Sequence, residues 1–209
     1  MTKKVGQGVR MTTDDIRRNF ELLGQELVGR GVTGEIVVAG GAAMLLVIRN
    51  RDTTRDVDAY FATNPQEIRA AAAVVARKEG LPPHWLNDGV KGFFYSQPPT
   101  SLWAEYPGLR LYTVDPDYLL AMKVLAARPQ DVGDITALVD YIGLSSAPDI
   151  LAVVQRYIPA SLLSPRSRYL VEDLMARRES DRQQDTRDGA RASDEAAAEQ
   201  PSYQEGHGR

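Results

Sequence analysis

Apolar residues at Ile16, Phe20, Leu23 and Leu27 repeat at the spacing of one helix face. Thr13 stands ahead of them as an N-cap, with Asp14 and Asp15 in the first turn, so an amphipathic helix is predicted from there to Gly29 or Gly31. The pattern then changes period. Glu35 to Ala39 reads as a short buried strand, Gly40-Gly41 as a turn, and the residues after it as an apolar helix. Asp56 to Phe61 alternates as a second strand, with Val57, Ala59 and Phe61 on one face and Asp56 and Asp58 on the other. The helix between these strands implies a crossover connection, and hence an α/β (α+β) fold in which a small sheet is flanked by helices.

Further along, Asn64-Pro65 starts a helix through Lys78, which Gly80-Leu81-Pro82-Pro83 ends. Trp85 is expected to anchor the following loop to the core, with His84 an exposed loop residue. Phe93 to Tyr95 and Leu109 to Val114 are predicted strands, separated by a loop containing Pro98-Pro99 and Pro107-Gly108. Asp115 caps a helix that begins at Pro116, and Arg128-Pro129 breaks it. Asp131 reads as the cap of the next helix, from Val132 to Ile142. Two more helices are predicted over 149–158 and 164–178. The organisation is therefore a loose arm (1–12), one domain over 13–178 with an α/β core to 115 and a helical part from 116, and a tail (179–209). That tail is nearly free of large apolar residues and is expected to be disordered.

Composition changes this picture only by exclusion. The chain has 209 residues, a formal charge of -3 and no cysteine, so disulfides and thiolate metal sites are ruled out. With only His84 and His207 available, a histidine-built zinc site is not expected. No apolar run reaches the length of a membrane span and no signal segment is seen, so the expectation is a cytoplasmic protein with no membrane partner. Any contact with RNA would rely on a local basic patch. Arg166, Arg168, Arg177 and Arg178 form a candidate strip, which either touches RNA or pairs with the acidic tail.

The chemistry concentrates at the second strand. Asp56 and Asp58 stand about 7 Å apart along one face, and two such charges beside a core repel unless a proton or cation lies between them. Mg²⁺, which takes one or two carboxylates plus phosphate oxygens, answers that need. The Gly40-Gly41 turn adds close backbone approach and the N-terminal end of a helix, both suited to phosphate. Lys123 borders the apolar stripe of its helix. It either snorkels along the core or offers a compact cation to a phosphate or an aspartate.

The order of apolar strand, Gly40-Gly41, helix and Asp56-Val57-Asp58 resembles the signature of the polymerase β nucleotidyltransferase superfamily. The run from Arg51 through Thr54 to Asp58 is similar to the form found in its AbiEii-type toxin branch and uncharacterised bacterial relatives, as are Gly80-Leu81-Pro82 with Trp85-Leu86-Asn87-Asp88. Tyr118 to Ile135 resembles the second motif of the same family. This resemblance implies a nucleotidyltransferase fold in which Asp56 and Asp58 are catalytic and hold Mg²⁺. Gly40, Gly41, Arg51 and Thr54 would bind the nucleotide, Lys123 would reach it, and Asp131 would complete the site, with Asp134 a weaker candidate facing Arg128 or solvent. It implies transfer of a nucleoside monophosphate from a nucleoside triphosphate to an acceptor hydroxyl, with RNA such as a tRNA 3′ end as acceptor and a cognate antitoxin as partner. One departure leaves activity open. The strand Leu109 to Val114 lacks the third carboxylate of the superfamily. The alternatives are therefore an assisted two-aspartate enzyme and an inactive nucleotide-sensing or partner-binding protein on the same fold.

Overall fold

The computed structural model describes residues 9–198, without the side chains of Lys91, Phe93 and 189–198. Helix α1 (Thr13–Gly29) buries Ile16, Phe20, Leu23 and Leu27, the face read from their spacing. Its cap is Thr12 rather than Thr13. The Thr12 hydroxyl accepts from the Asp15 amide at 3.2 Å while the Asp15 carboxylate accepts from the Thr12 amide at 2.8 Å, a reciprocal capping box. Met11 is buried and exchanges backbone hydrogen bonds with Thr54, so the predicted arm is already tied down at that residue; residues 1–8 lie outside the described part.

Five strands make one mixed sheet in the order β3-β2-β1-β5-β4. They are β1 (Gly34–Val38), β2 (Val57–Thr63), β3 (Leu86–Asn87), β4 (Thr100–Tyr106) and β5 (Leu109–Val114). β1 pairs parallel with β5 and antiparallel with β2. This corrects the crossover expected between the first two strands. After α2 (Gly40–Ala43) and a wider π turn (Met44–Ile48), Arg49 adopts a left-handed φ of 59° and the chain doubles back. β2 therefore starts beside the end of β1, where the Ala39 amide donates to the Asp58 carbonyl at 2.9 Å.

Helix α3 (Pro65–Glu79) packs on α1 and on β1 and β2. Trp85 is fully buried, as expected of a loop anchor. Its ring leans on Phe20 with centroids 5.9 Å apart, and its Nε1 donates to the Ala72 carbonyl at 3.1 Å. The strand predicted over Leu109 to Val114 is β5, but the strand predicted over Phe93 to Tyr95 and the loop after it are not as read. Gly89–Phe93 is a 3-10 turn, after which Phe94 packs edge-on against Tyr60 and Tyr118. β4 occupies the supposed loop instead. It is an edge strand whose residues are mostly half-exposed or exposed, so no strict apolar alternation marks it, and its pairing with β5 shifts register between Leu102 and Ala104.

The C-terminal part consists of α4 (Pro116–Ala126), α5 (Val132–Ile142), α6 (Ala147–Gln155) and α7 (Pro165–Ala198). α4 packs on the other three, and α5 also reaches the π turn. α7 continues without a break to Ala198, where composition alone predicts a solvated tail from 179. Over 181–188, where every residue is exposed, good helix formers and spaced polar pairs such as Gln184 with Asp188 at 3.1 Å sustain it. Residues 199–209 lie outside the described part. Among the described residues no single helix is long and apolar enough to cross a membrane.

Candidate functional site

The antiparallel pairing of β1 and β2 brings the glycine turn to the start of β2. Gly40 has φ of 58°, and a Cβ built on it would stand 3.0 Å from Asp58 Oδ2. Any side chain there is strained twice, by its backbone and by the carboxylate. Gly40→Ala is expected to cost about 1–2 kcal/mol of stability, as left-handed backbone does for L-residues, which thermal unfolding measures.

β3 lies parallel to β2 with Asn87 in register with Asp58. Asn87 Nδ2 donates to Asp58 Oδ1 at 3.1 Å, while its own Oδ1 accepts from the Gly89 amide at 3.0 Å. Asn87 thus occupies the neighbouring strand position beside the aspartate, a placement that no local pattern in the sequence marks. Asp56 precedes β2, and its carboxyl is pushed above the ordinary range by burial first and by the charge of Asp58 second. The Thr54 hydroxyl donates to the Asp56 carbonyl at 3.1 Å, holding the turn into the strand.

A second cluster gathers on α4, α5 and the loop after the π turn. Lys123 Nζ contacts Asp131 Oδ1 at 2.8 Å and Asp134 Oδ2 at 2.7 Å, and its side chain is only 11 % exposed. Asp131 is therefore tied to Lys123, and its side chain makes no cap bond to α5. Asp134 corrects the expectation that it faces Arg128 or solvent. It is buried, and its Oδ1 accepts from Asn50 at 3.1 Å and from Arg51. Burial pushes its carboxyl upward, but the hydrogen bonds from Lys123, Asn50 and Arg51 outweigh this and hold it below the usual 3.8. A carboxyl with a depressed folded pKa contributes stability that is present above its unfolded value and lost as pH falls through the folded one. Acid unfolding followed by circular dichroism below about pH 4 should therefore be less steep in Asp134→Asn than in the wild-type chain.

Gly40, Asp58, Lys123, Arg128 and Asp131 share one cavity of about 420 Å³, whose remaining lining includes the apolar Val90, Leu119, Met122 and Ile158. Of the predicted site residues, Gly40, Asp58, Lys123 and Asp131 are brought together there. Gly41, Arg51, Thr54 and Asp56 are not on its wall. Gly41 instead faces Arg51 and Thr54: a Cβ built on it would stand 3.1 Å from Arg51 Nη1 and 3.4 Å from Thr54 Oγ1. Arg51 lines an adjacent polar cleft of about 520 Å³ together with Asn50 and Asp134.

Among the described residues no group of three histidine, cysteine or acidic side chains is placed to hold a metal. The donor set at the start of β2 is the Asp58 carboxylate and the Asp56 carboxyl, whose ionisation burial and the Asp58 charge oppose. That suits a hard divalent ion whose remaining ligands are phosphate oxygens and waters, and does not suit a cage built from protein alone.

A model of the family described as nucleotidyltransferase of unknown function (DUF6036) matches residues 18–158. None of the curated proteins and none of the solved structures matches the chain.

Proposed function

We propose, because the chain belongs to this family of nucleotidyltransferases, that its cavity takes a nucleoside triphosphate and that the nucleoside monophosphate passes to an acceptor hydroxyl. The observation that carries the proposal is the convergence of Gly40, Asp58, Lys123 and Asp131 on one cavity with an apolar remainder. Its polar end suits phosphates and its apolar lining suits a base, at a volume typical of small-ligand sites.

In this reaction the acceptor oxygen forms a bond to the α-phosphorus, the bond to the bridging oxygen of the β-phosphate breaks, and pyrophosphate leaves. Mg²⁺ held by Asp56 and Asp58 would supply charge stabilisation at the phosphates. Gly40, free of a side chain, leaves room beside Asp58 for a phosphate oxygen. Lys123 exchanges one of its two carboxylate partners for a phosphate oxygen. Asp131, released by that exchange, takes the acceptor's proton. Asn87 holds Asp58 in its rotamer through the bond across β2 and β3.

The finer form of the proposal has an RNA acceptor, such as a tRNA 3′ end, and a toxin role opposed by an antitoxin in the cytoplasm. Its support is the AbiEii-like run from Arg51 to Asp58 and the Lys123 to Asp134 motif. A second reading is favoured by Asn87, a neutral amide where a further carboxylate beside Asp58 would complete metal ligation. On that reading the chain binds nucleotide without turning it over. Incubation with labelled nucleoside triphosphates, Mg²⁺ and total RNA separates the two. Label appearing in RNA supports the transferase; tight binding without transfer supports the sensor.

A further inference from the structure

Asp134 is the one buried acidic residue among the described residues, and its two oxygens serve different parts of the chain. Oδ2 meets Lys123 of α4, while Oδ1 meets Asn50 and Arg51 of the loop that follows the glycine turn. Asp131 holds Lys123 as well, but from the cavity wall, and among the described residues its carboxylate pairs with that lysine alone. Arg51 in turn stands against Gly41 through Nη1, and its Nε is buried with no hydrogen-bond partner, a donor left over beside the turn.

We propose that Asp134 is a positioning residue that fixes two cations at once, Arg51 at the glycine turn and Lys123 at the cavity, so that a polyphosphate meets both already in place. This rests on the nucleotide-binding reading above and extends it to a residue that touches no substrate. The physical reason is pre-organisation. A flexible lysine and arginine lose side-chain freedom on gripping a phosphate, and a carboxylate that has already fixed them removes part of that cost. Asp134 stays bound to both cations when Lys123 leaves Asp131 for a phosphate oxygen, so neither is left unpaired in the protein interior. The depressed pKa of Asp134 agrees with a carboxylate that remains ionised for this task.

The test uses the full chain with Mg²⁺ and titrates the four ribonucleoside triphosphates and the corresponding monophosphates by calorimetry. Asp134→Asn keeps shape and one acceptor oxygen but loses the charge. It is expected to weaken triphosphate binding about 10- to 100-fold, the usual effect of removing a group that orients a ligand-binding side chain, and to leave monophosphate binding nearly unchanged. In an Arg51→Ala, Lys123→Ala background the same change should add no further loss, because Asp134 acts through those two residues. A purely structural tie would weaken mono- and triphosphates alike, or neither, and either result overturns the proposal. Should Asp134→Asn fail to fold, Arg51→Gln leaves Asp134 paired with Lys123. It is expected to lose part of the preference for triphosphate, and full retention overturns the proposal. If the wild-type chain binds no triphosphate, the nucleotide-binding reading itself falls; if it binds and Asp134→Asn keeps the triphosphate preference, the positioning role alone falls.

Discussion

Asp58→Ala is expected to lower nucleotidyl transfer about a thousandfold or more, since charge stabilisation by a carboxylate-held cation supplies several kcal/mol at the transition state. Asp58 is the one acidic side chain of β2 that faces both the glycine turn and the cavity. Asp56 lies off the cavity wall, so it cannot take over the same position. The substitution should leave the fold intact, at the small cost of the hydrogen bond from the part-buried Asn87 amide. It removes one of two mutually repelling carboxylates, and the Asp56 carboxyl, raised partly by the Asp58 charge, should move back toward its ordinary range while burial still holds it above. Label transfer from nucleoside triphosphate in the assay of the proposed function measures the first effect, and thermal unfolding should show a midpoint close to wild type. A folded Asp58→Ala chain with wild-type transfer would remove Asp58 from the chemistry.

The largest effect on stability is expected from Trp85→Ala. The side chain is fully buried, packs against Phe20 of α1 and donates to the Ala72 carbonyl of α3, so it closes the space between the two helices and the start of β3. Truncation leaves a large cavity, at about 3–5 kcal/mol. For a domain of this size that lowers the melting temperature by about 10 °C, and the urea midpoint should fall with little change in slope. The Trp85 carbonyl also accepts from the Val57 amide at 2.7 Å, which places Asn87 two residues further on opposite Asp58. Nucleotide affinity in the variant should therefore weaken even well below its melting temperature. A variant with wild-type stability would show that Trp85 fills space without supporting the core.

The parts of the site visible in the sequence were those set by local periodicity. Alternation along a strand puts Asp58 on the face opposite Val57 and Ala59, and helix spacing puts Lys123 at the border of an apolar stripe; both follow from a few neighbouring residues, whereas Asp56, read as part of the same strand, precedes β2 and lies off the cavity wall. A small sheet with flanking helices was legible for the same reason. The residues that were missed depend on long-range partners. Asn87 meets Asp58 only because a two-residue strand pairs with β2, 29 positions away. Asp134 is buried by Asn50 and Arg51, 84 and 83 positions before it, so its helix pattern alone made it a surface residue. The sense of the β1 and β2 pairing depended on where the chain turns back, and Arg49 with its left-handed backbone carries no pattern that announces it.

The two outer strands of the sheet bear on how the molecule behaves when crowded. A sheet rim with free amides and carbonyls is a template on which another copy can add, the first step toward fibrils and precipitates. One rim here is β3, only two residues long, and the other is β4, whose ladder is interrupted between Leu102 and Ala104. Neither offers a long straight stretch to an incoming strand, so the same shortness that places Asn87 beside Asp58 also protects the protein from edge-to-edge growth.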